Sequence, residues 1–365
     1  MKTYFLIAGE ASGDLHAARL IEAIKRREPD ARFVGLGGDK MRNAGCRLVQ
    51  DYREMAFMGV VAVLKNLGKV KRNFEIAKTS ILTEKPDVLI LIDYPSFNLK
   101  MAEFARTRLP GIKIVYYIPP KVWAWKTFRI HKIAKLCDEV LGIFPMETAF
   151  FARYGYNCRY VGNPTMDSVG EWLKSHSQGP RDEHLIALLP GSRKGEISHC
   201  LNKMLAAARA MKGYRIVVAA APGVEDSFYT GYLKDGEQLT RETYALVSKA
   251  RAAIVNSGTA TLETALLGCP QQAVYHIAMS KVLGFLRPLL FKIPHFTLVN
   301  IILGREVIQE QVSYRYTERI IRDELQRLLE DEPYRNEMLR SYQELRQVLG
   351  TNSAAETAAK IICDL

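Results

Sequence analysis

The sequence predicts an α/β protein built from two doubly wound domains. Short apolar runs alternate with segments of helical spacing, and several runs are apolar at every position, which is typical of parallel strands covered on both faces. A polar connector at 172–183 interrupts this pattern, which restarts at 184. We therefore expect an N-terminal domain at 1–168 and a C-terminal domain at 169–365 that ends in a helical tail.

Strand-like runs mark the sheet of each domain. In the first domain they lie at 4–8, 32–36, 88–92, 113–118, 139–144 and 159–162, and in the second at 184–189, 215–220, 252–256 and 271–275. From 314 onward the pattern is helical, with an interruption at Pro333. Ligands of open parallel sheets bind at the carboxyl ends of the strands. Functional residues are therefore expected at strand ends that face a cleft between the domains.

The composition describes a folded protein and narrows its partners. The 365 residues are 48% hydrophobic and 25% charged, which excludes a disordered chain. No apolar run reaches about 18 residues without a charge, so no membrane span is predicted. The six cysteines are scattered singly, which indicates reduced thiols rather than disulfides or a zinc site. The net charge of +12, without an RNA-binding aromatic signature, favours an anionic substrate or a membrane surface over nucleic acid.

The second domain carries two turns that suit a nucleotide. One joins a strand to a helix and offers small residues, hydroxyl groups and free backbone N–H groups: Ser257, Gly258, Thr259, Ala260 and Thr261. Glu263 follows on the same helix, where a carboxylate can accept hydrogen bonds from both hydroxyls of a ribose. An N-capped helix with a solvated glutamate explains this stretch equally well. The second turn favours the nucleotide, because it adds a fixed cation at another strand end: Gly191, Ser192 and Arg193.

The first domain has acids where a nucleotide-binding turn would have bare N–H groups. Glu10 follows the first strand, and Asp93 directly follows the apolar run VLILI. Carboxylates suit hydroxyl groups, so this half is expected to hold the acceptor of a transfer reaction. A helix cap is the alternative for Asp93. A functional role is favoured because an acid that ends a buried strand is poorly placed for solvation.

Six stretches of the chain form a set: AGEASGD at 8–14, IDYPSFN at 92–98, VWAW at 122–125, LLPGSR at 188–193, NSGTATLE at 256–263 and GRE at 304–306. Together they resemble the lipid-A-disaccharide synthase family of inverting GT-B glycosyltransferases, almost from end to end. The resemblance implies two Rossmann-like domains facing a cleft. It also implies transfer of 2,3-diacylglucosamine from UDP to the 6-hydroxyl of 2,3-diacylglucosamine 1-phosphate (lipid X), which yields the β(1→6) disaccharide 1-phosphate and UDP.

The resemblance assigns site residues position by position. It places 257–263 on the UDP-binding segment and further residues on functional positions: Glu10, Asp93, Arg193, Asn300 and Glu310. Arg305 and Asn163 are additional candidates. Three sites depart from the family pattern, because Asn163 stands where the family often has His, Pro119 where it has Ser, and Ser313 where it has Gln.

The expected mechanism needs one base and a countercharge for the leaving group. An acceptor hydroxyl is a weak nucleophile, so a carboxylate should take its proton. We assign that role to Asp93 and an orienting role to Glu10. The chain contains no Asp-x-Asp pair to hold a divalent ion. Arg193 and the backbone donors of the 257–259 turn are expected to stabilise the diphosphate instead, without a metal or cofactor.

An apolar segment followed by lysines suggests a contact with lipid. Within 55–72 the candidates are Met58, Val60, Val61, Val63, Leu64 and Leu67. A core helix has the same pattern, and only the acylated substrates favour the membrane surface. The segment 281–296 is a second, proline-interrupted candidate. We expect a cytoplasmic protein attached peripherally to the inner membrane, with the oligomeric state open between monomer and homodimer. Trp123 and Trp125 suit sugar stacking and core packing alike.

Other classes fit less well. A dehydrogenase would need Gly-x-Gly-x-x-Gly after the first strand, and the chain has only Gly9 and Gly13 around an acid. A UDP-sugar-binding protein or epimerase of the same architecture is the main alternative, since it would use the 257–263 site but not the apolar segment. A basic nucleic-acid-binding module ranks third.

Overall fold

The strands of the chain form two parallel sheets, each in a separate unit of a computed structural model. The structure describes residues 1–54, 67–124, 126–177, 179–256, 258–275, 294–312 and 317–365. The first unit comprises Met1–Pro164 together with Asn352–Leu365, and the second comprises Thr165–Thr351. The predicted fold class, two doubly wound parallel sheets with helices, is confirmed.

The first sheet consists of β1 (Thr3–Ala8), β2 (Arg32–Gly37), β3 (Arg47–Asp51), β4 (Val88–Ile92), β5 (Lys113–Tyr117), β6 (Glu139–Gly142) and β7 (Arg159–Tyr160). Their order in the sheet is β3-β2-β1-β4-β5-β6-β7. Every residue of the central strands β1 and β4 is buried, because helices cover both faces of the sheet. Ala8 pairs with Ile92, which brings the residues that follow these two strands to the same edge.

The helices of the first unit are α1 (Ala11–Arg27), α2 (Asp39–Asn43), α3 (Leu67–Glu84), α4 (Pro95–Arg108), α5 (Arg129–Leu136) and α6 (Pro145–Ala152). A short 3₁₀ turn spans Tyr52–Glu54. Helix α7 (Pro164–Ser175) continues from the first unit into the second.

The second sheet consists of β8 (Asp182–Leu189), β9 (Arg215–Ala219), β10 (Gln238–Thr240), β11 (Ala250–Asn256), β12 (Gln271–Tyr275) and β13 (Glu310–Val312). Their order is β10-β9-β8-β11-β12-β13. The remaining helices are α8 (Lys194–Arg209), α9 (Ser227–Thr230), α10 (Thr243–Lys249), α11 (Thr259–Leu266), α12 (Leu298–Leu303), α13 (Glu318–Glu330), α14 (Glu332–Leu349) and α15 (Ala354–Cys363).

The last helix corrects the predicted domain division. The sequence pattern assigned residues 169–365 to the second domain, whereas α15 packs against α1 in the first unit. The buried face of α15 carries small side chains. Its Ala355, Ala358 and Ala359 lie in the same core cluster as Ala17 and Ala18 of α1. Small side chains on both helices allow this close approach, which no local sequence pattern reveals.

Several predictions concern residues outside the described ranges. These are the proposed lipid contacts at 58–64, Trp125, Ser257, Ser313 and most of the apolar segment 281–296; of Leu67 only the backbone is described. Among the described residues, no helix combines the length and the apolar character that a membrane span requires.

Candidate functional site

A cavity of about 430 Å³ lies at the carboxyl ends of β8, β9 and β11 in the second unit. Its lining includes most of the residues that the sequence predicted for the nucleotide: Gly191, Ser192, Arg193, Gly258, Thr259, Ala260 and Glu263. The two predicted turns therefore face one common space. Thr261 is fully buried, and its hydroxyl donates to the Gly258 carbonyl at 2.9 Å. This hydrogen bond stabilises the turn from the protein interior.

Glycine is required at both turns. Gly191 and Gly258 have φ angles of +122° and +128°, a region that side chains other than glycine rarely adopt. A Cβ atom at Gly191 would lie 2.7 Å from the amide nitrogen of Asn256. At Gly258 such an atom would have no neighbour within 4 Å, so the backbone there borders open space. A ligand can approach this turn closely.

Two polar residues in this cavity were missed in the sequence. The Glu196 carboxylate accepts hydrogen bonds from the Ser192 backbone N–H at 3.0 Å and from Arg193 at 3.3 Å. Asn256 donates to the Pro190 carbonyl at 2.9 Å. Both interactions fix the Gly191–Arg193 loop. The position of Glu196, three residues into the helix that Arg193 caps, was the signal that could have revealed it.

Glu263 presents a partly desolvated carboxylate to the cavity. Burial raises its pKa, while a hydrogen bond from the Tyr244 hydroxyl, 2.7 Å long, lowers it. Tyr244 contacts only the Oε1 atom of Glu263 in this bond. The geometry suits a carboxylate that accepts hydrogen bonds from a ligand's hydroxyl groups.

A second cavity, of about 300 Å³, lies in the first unit at the carboxyl ends of β4, β5 and β6. It contains Asp93, as the strand-end argument predicted. The other lining residues are Pro95, Ile118, Pro119, Pro120, Lys121, Arg129, Ile143 and Phe144. The wall is thus mostly apolar, with one acid and two cations.

Asp93 sits on a strained backbone that buried side chains hold in place. Asp93 and Tyr94 have φ angles of +46° and +43°, which costs free energy for residues with a Cβ atom. The Asp93 carbonyl accepts two hydrogen bonds, from the Asn98 amide at 2.7 Å and from the Tyr116 hydroxyl at 2.8 Å. The backbone N–H of Asp93 donates to the Ile118 carbonyl at 3.2 Å. Strain supported by this many contacts is typical of functional sites.

The two acids of the stretch at 8–14, Glu10 and Asp14, have different environments. Asp14 is buried and accepts hydrogen bonds from the backbone N–H groups of Gly38, Lys40 and Met41, at 2.8, 3.1 and 3.0 Å. It therefore holds the start of α2. Glu10 is half-exposed and is close enough to Asp93 for its charge to act there. Burial, and then the Glu10 charge, raise the pKa of Asp93, whereas Lys121 lowers it.

A buried glutamate behind this cavity was not expected. Glu147 is 1% exposed and accepts hydrogen bonds from the backbone N–H groups of Ile143 and Phe144 and from the indole of Trp123. Burial raises its pKa to about 7. Trp123 is itself buried and packs edge-on against Phe144. The structure therefore gives Trp123 a packing role rather than an exposed sugar-stacking face.

The remaining sequence candidates make framework contacts. Asn163 is buried and donates to the Ile143 carbonyl at 2.9 Å. Asn300 bonds the backbone at 307 and 308 and donates to Glu310 at 3.0 Å. Glu310 in turn accepts from the N–H groups of 296 and 297. Arg305 forms an ion pair with Glu344 on α14. Asn300 and Glu310 order the segments that precede β13, and Asn163 holds the residue that follows β6. None of these four residues is among the described lining of either cavity.

Within the described ranges, no group of three or more His, Cys, Asp or Glu side chains is arranged to hold a metal ion.

Comparison with known proteins gives a family match over almost the whole chain. A family model described as lipid-A-disaccharide synthetase matches residues 4–362. A protein of Syntrophus aciditrophicus (strain SB) named lipid-A-disaccharide synthase is 37% identical, and the match covers 98% of this chain and 96% of that protein. One of Myxococcus xanthus (strain DK1622) with the same name is 33% identical, covering 99% and 96%.

Solved structures share the fold. A UDP-GlcNAc 2-epimerase from Neisseria meningitidis bound to UDP-GlcNAc aligns with a TM-score of 0.66 at 11% identity, over 100% of both chains. The glycosyltransferase of kitacinnamycin aligns with a TM-score of 0.64 at 13% identity, covering 100% of this chain and 98% of that one. These likenesses confirm the predicted GT-B type of fold.

Proposed function

Because this chain belongs to the lipid-A-disaccharide synthase family and is a hexosyltransferase, we propose that it transfers 2,3-diacylglucosamine from its UDP donor to lipid X. The product would be the β(1→6) disaccharide 1-phosphate, with UDP released. The observation that carries this proposal is the convergence of the two predicted nucleotide turns and Glu263 on one cavity of the second unit.

That cavity supplies what a UDP group needs. The backbone N–H groups at the start of α11 face anionic oxygens well, because the helix N-terminus carries partial positive charge. Arg193 adds a positive charge, and its ion pair with Glu196, 3.3 Å long, holds it near the turn. Glu263 would accept hydrogen bonds from the ribose hydroxyls. No divalent ion is required in this proposal, since Arg193 and the backbone donors neutralise the leaving diphosphate.

Asp93 would act as the base. Its carboxylate takes the proton of the acceptor 6-hydroxyl as that oxygen bonds to the anomeric carbon of the donor and the bond to the UDP oxygen breaks. The configuration at that carbon is inverted, and UDP carries the electron pair away. A raised pKa makes Asp93 a stronger base than an ordinary aspartate. Glu10 would orient the acceptor.

We also propose peripheral attachment to the cytoplasmic face of the inner membrane, from the sequence of 58–67 and the exposed Lys69, Lys71 and Arg72 that follow. Replacing Val60, Val63 and Leu64 together by Ser should move the protein from the membrane to the soluble fraction in a sedimentation assay. The melting temperature of the same variant should hold. A sharp fall of the melting temperature would instead assign these side chains to the core.

The proposed reaction is tested with purified protein, UDP-2,3-diacylglucosamine and lipid X, followed by mass analysis. We expect the tetraacylated disaccharide 1-phosphate together with one equivalent of UDP. Conversion of the UDP-sugar into its epimer, with no disaccharide, would contradict the proposal and support the epimerase alternative.

A further inference from the structure

The cavity beside Asp93 contains two cations that the proposed mechanism does not use. Lys121 and Arg129 both line it, the first exposed and the second half-buried, so a ligand can reach both. Among the residues that the structure describes, neither cation has a carboxylate oxygen within 4.0 Å. Other cations of the same region are paired, such as Lys132 with Glu103 at 2.7 Å and Arg106 with Asp138 at 2.7 Å.

The close contacts of the two cations are with uncharged groups. Arg129 donates a hydrogen bond to the Ser96 hydroxyl at 3.2 Å. The Lys121 ammonium lies 5.8 Å from the centre of the Phe144 ring. Phe144 is itself fixed by its backbone bond to Glu147, 3.0 Å long. Two positive charges therefore remain available at the cavity wall.

The size and charge of the cavity select a class of ligand. At about 300 Å³ it lies at the small end of the range for ligand pockets, which suits a sugar phosphate head group. A phosphate monoester carries a charge of about −1.5 to −2 near neutral pH, which two cations can balance. An arginine also matches the geometry of phosphate oxygens through two parallel hydrogen bonds.

We propose that Lys121 and Arg129 bind the anomeric phosphate of the acceptor sugar, while Asp93 meets its hydroxyl group in the same cavity. This inference rests on the proposed function and extends it to acceptor selection. An acceptor with a free phosphate is favoured over the same sugar without one.

The test compares two acceptors, lipid X and 2,3-diacylglucosamine without the phosphate, in the wild type and in Arg129→Gln. Hydrogen bonds to a charged group predict a loss of kcat/KM for lipid X on the order of 10- to 100-fold, mainly through KM. The kcat/KM for the unphosphorylated acceptor and the KM for the donor should change by less than about threefold. Lys132→Gln removes a paired cation from the same helix and should leave all values unchanged.

Lys121→Met is judged by the ratio of the two acceptors alone, because Lys121 also acts on Asp93 and that effect cancels in the ratio. An equal loss on both acceptors, or no loss in folded Arg129→Gln, would overturn the inference.

Calorimetric titration with glucosamine 1-phosphate and with glucosamine gives a readout independent of turnover. Preferential binding of the phosphate that is lost in Arg129→Gln supports the site even if no disaccharide forms, so failure of the proposed reaction remains distinguishable.

Discussion

The hydroxyl group of Tyr116 donates a hydrogen bond of 2.8 Å to the main-chain carbonyl of Asp93. This bond joins the end of β5 to the residue that follows β4, where the backbone is left-handed. Tyr116 is fully buried, so the bond is shielded from water. The position of the proposed base therefore depends on a side chain that is not part of the cavity lining.

Tyr116→Phe should lower kcat by about tenfold with little change in acceptor KM, because loss of one buried hydrogen bond loosens the Asp93 backbone. Tyr4→Phe is the matched control, since it removes a buried hydroxyl that bonds Glu28 at the opposite end of β1. Both variants should lose about 1 kcal/mol of stability, measured by urea unfolding. In an Asp93→Asn background, Tyr116→Phe should reduce kcat no further; a second tenfold loss there would show that Tyr116 does not act through Asp93.

Asp93→Asn should lower kcat by about 10²- to 10⁴-fold, because the amide cannot take the acceptor proton. Glu10→Gln should lower it less and should also move the acidic limb of the kcat profile to lower pH. The reason is that the Glu10 charge raises the pKa of Asp93, and the ionised form of Asp93 is the active one. UDP affinity should be unchanged in both variants. If Glu10→Gln is the less active of the two at saturating substrates, the roles of the acids are exchanged.

Glu263→Ala should weaken UDP binding on the order of 10- to 100-fold, as expected for lost hydrogen bonds to a charged group. The donor KM should rise accordingly, with kcat at saturating donor almost unchanged. Tyr244→Phe keeps the carboxylate and removes only its internal partner, so its effect should be smaller. Unchanged calorimetric UDP affinity in Glu263→Ala would remove Glu263 from the nucleotide site.

Arg193→Ala should reduce kcat by about 10²- to 10³-fold, a typical loss when a donor to a developing negative charge is removed. Turnover of the wild type should survive excess EDTA. Lys194→Ala is the matched control, because the neighbouring lysine pairs with Glu225. Loss of activity on chelation, restored by magnesium, would contradict the assignment of the phosphate charge to Arg193.

Glu147 should make stability depend on pH. Its pKa is raised from 4.5 to about 7 in the folded state. Between these values the folded chain keeps a proton that the unfolded chain has released, so stability falls as pH rises and levels off above about pH 7. The total is on the order of 3 kcal/mol. Urea unfolding at several pH values should show this slope in the wild type and not in Glu147→Gln. If the free energy of unfolding depends on pH in the same way in both proteins, Glu147 is not the cause.

The cavity proposed for the nucleotide could be predicted from the sequence because its parts are local. Each turn spans one strand end and the following helix start, so the pattern at 191–193 and 258–263 predicts that both turns lie at one edge of the sheet, where they line one cavity. The sequence analysis did not identify Glu196 and Asn256, because these side chains bond to the loop backbone and belong to no recognisable motif.

Of the residues that line the cavity proposed for the acceptor, the sequence predicted only Asp93 as a site residue. Lys121 and Arg129 line this cavity because β5 and β6 lie next to β4 in the sheet. The order of strands in a sheet cannot be inferred from the sequence of any single segment. The short strands β3, β10 and β13 were missed for a different reason. They have three to five residues with polar members, which gives no apolar run to detect.

The first unit is interrupted in sequence by the whole of the second, since Asn352–Leu365 completes the core begun by Met1–Pro164. During translation the first unit emerges without α15, and the face of α1 on which that helix packs stays uncovered. The second unit is continuous and can finish folding earlier, although its synthesis begins later. A nascent chain therefore leaves the face of α1 around Ala17 and Ala18 uncovered until residues 352–365 have left the ribosome.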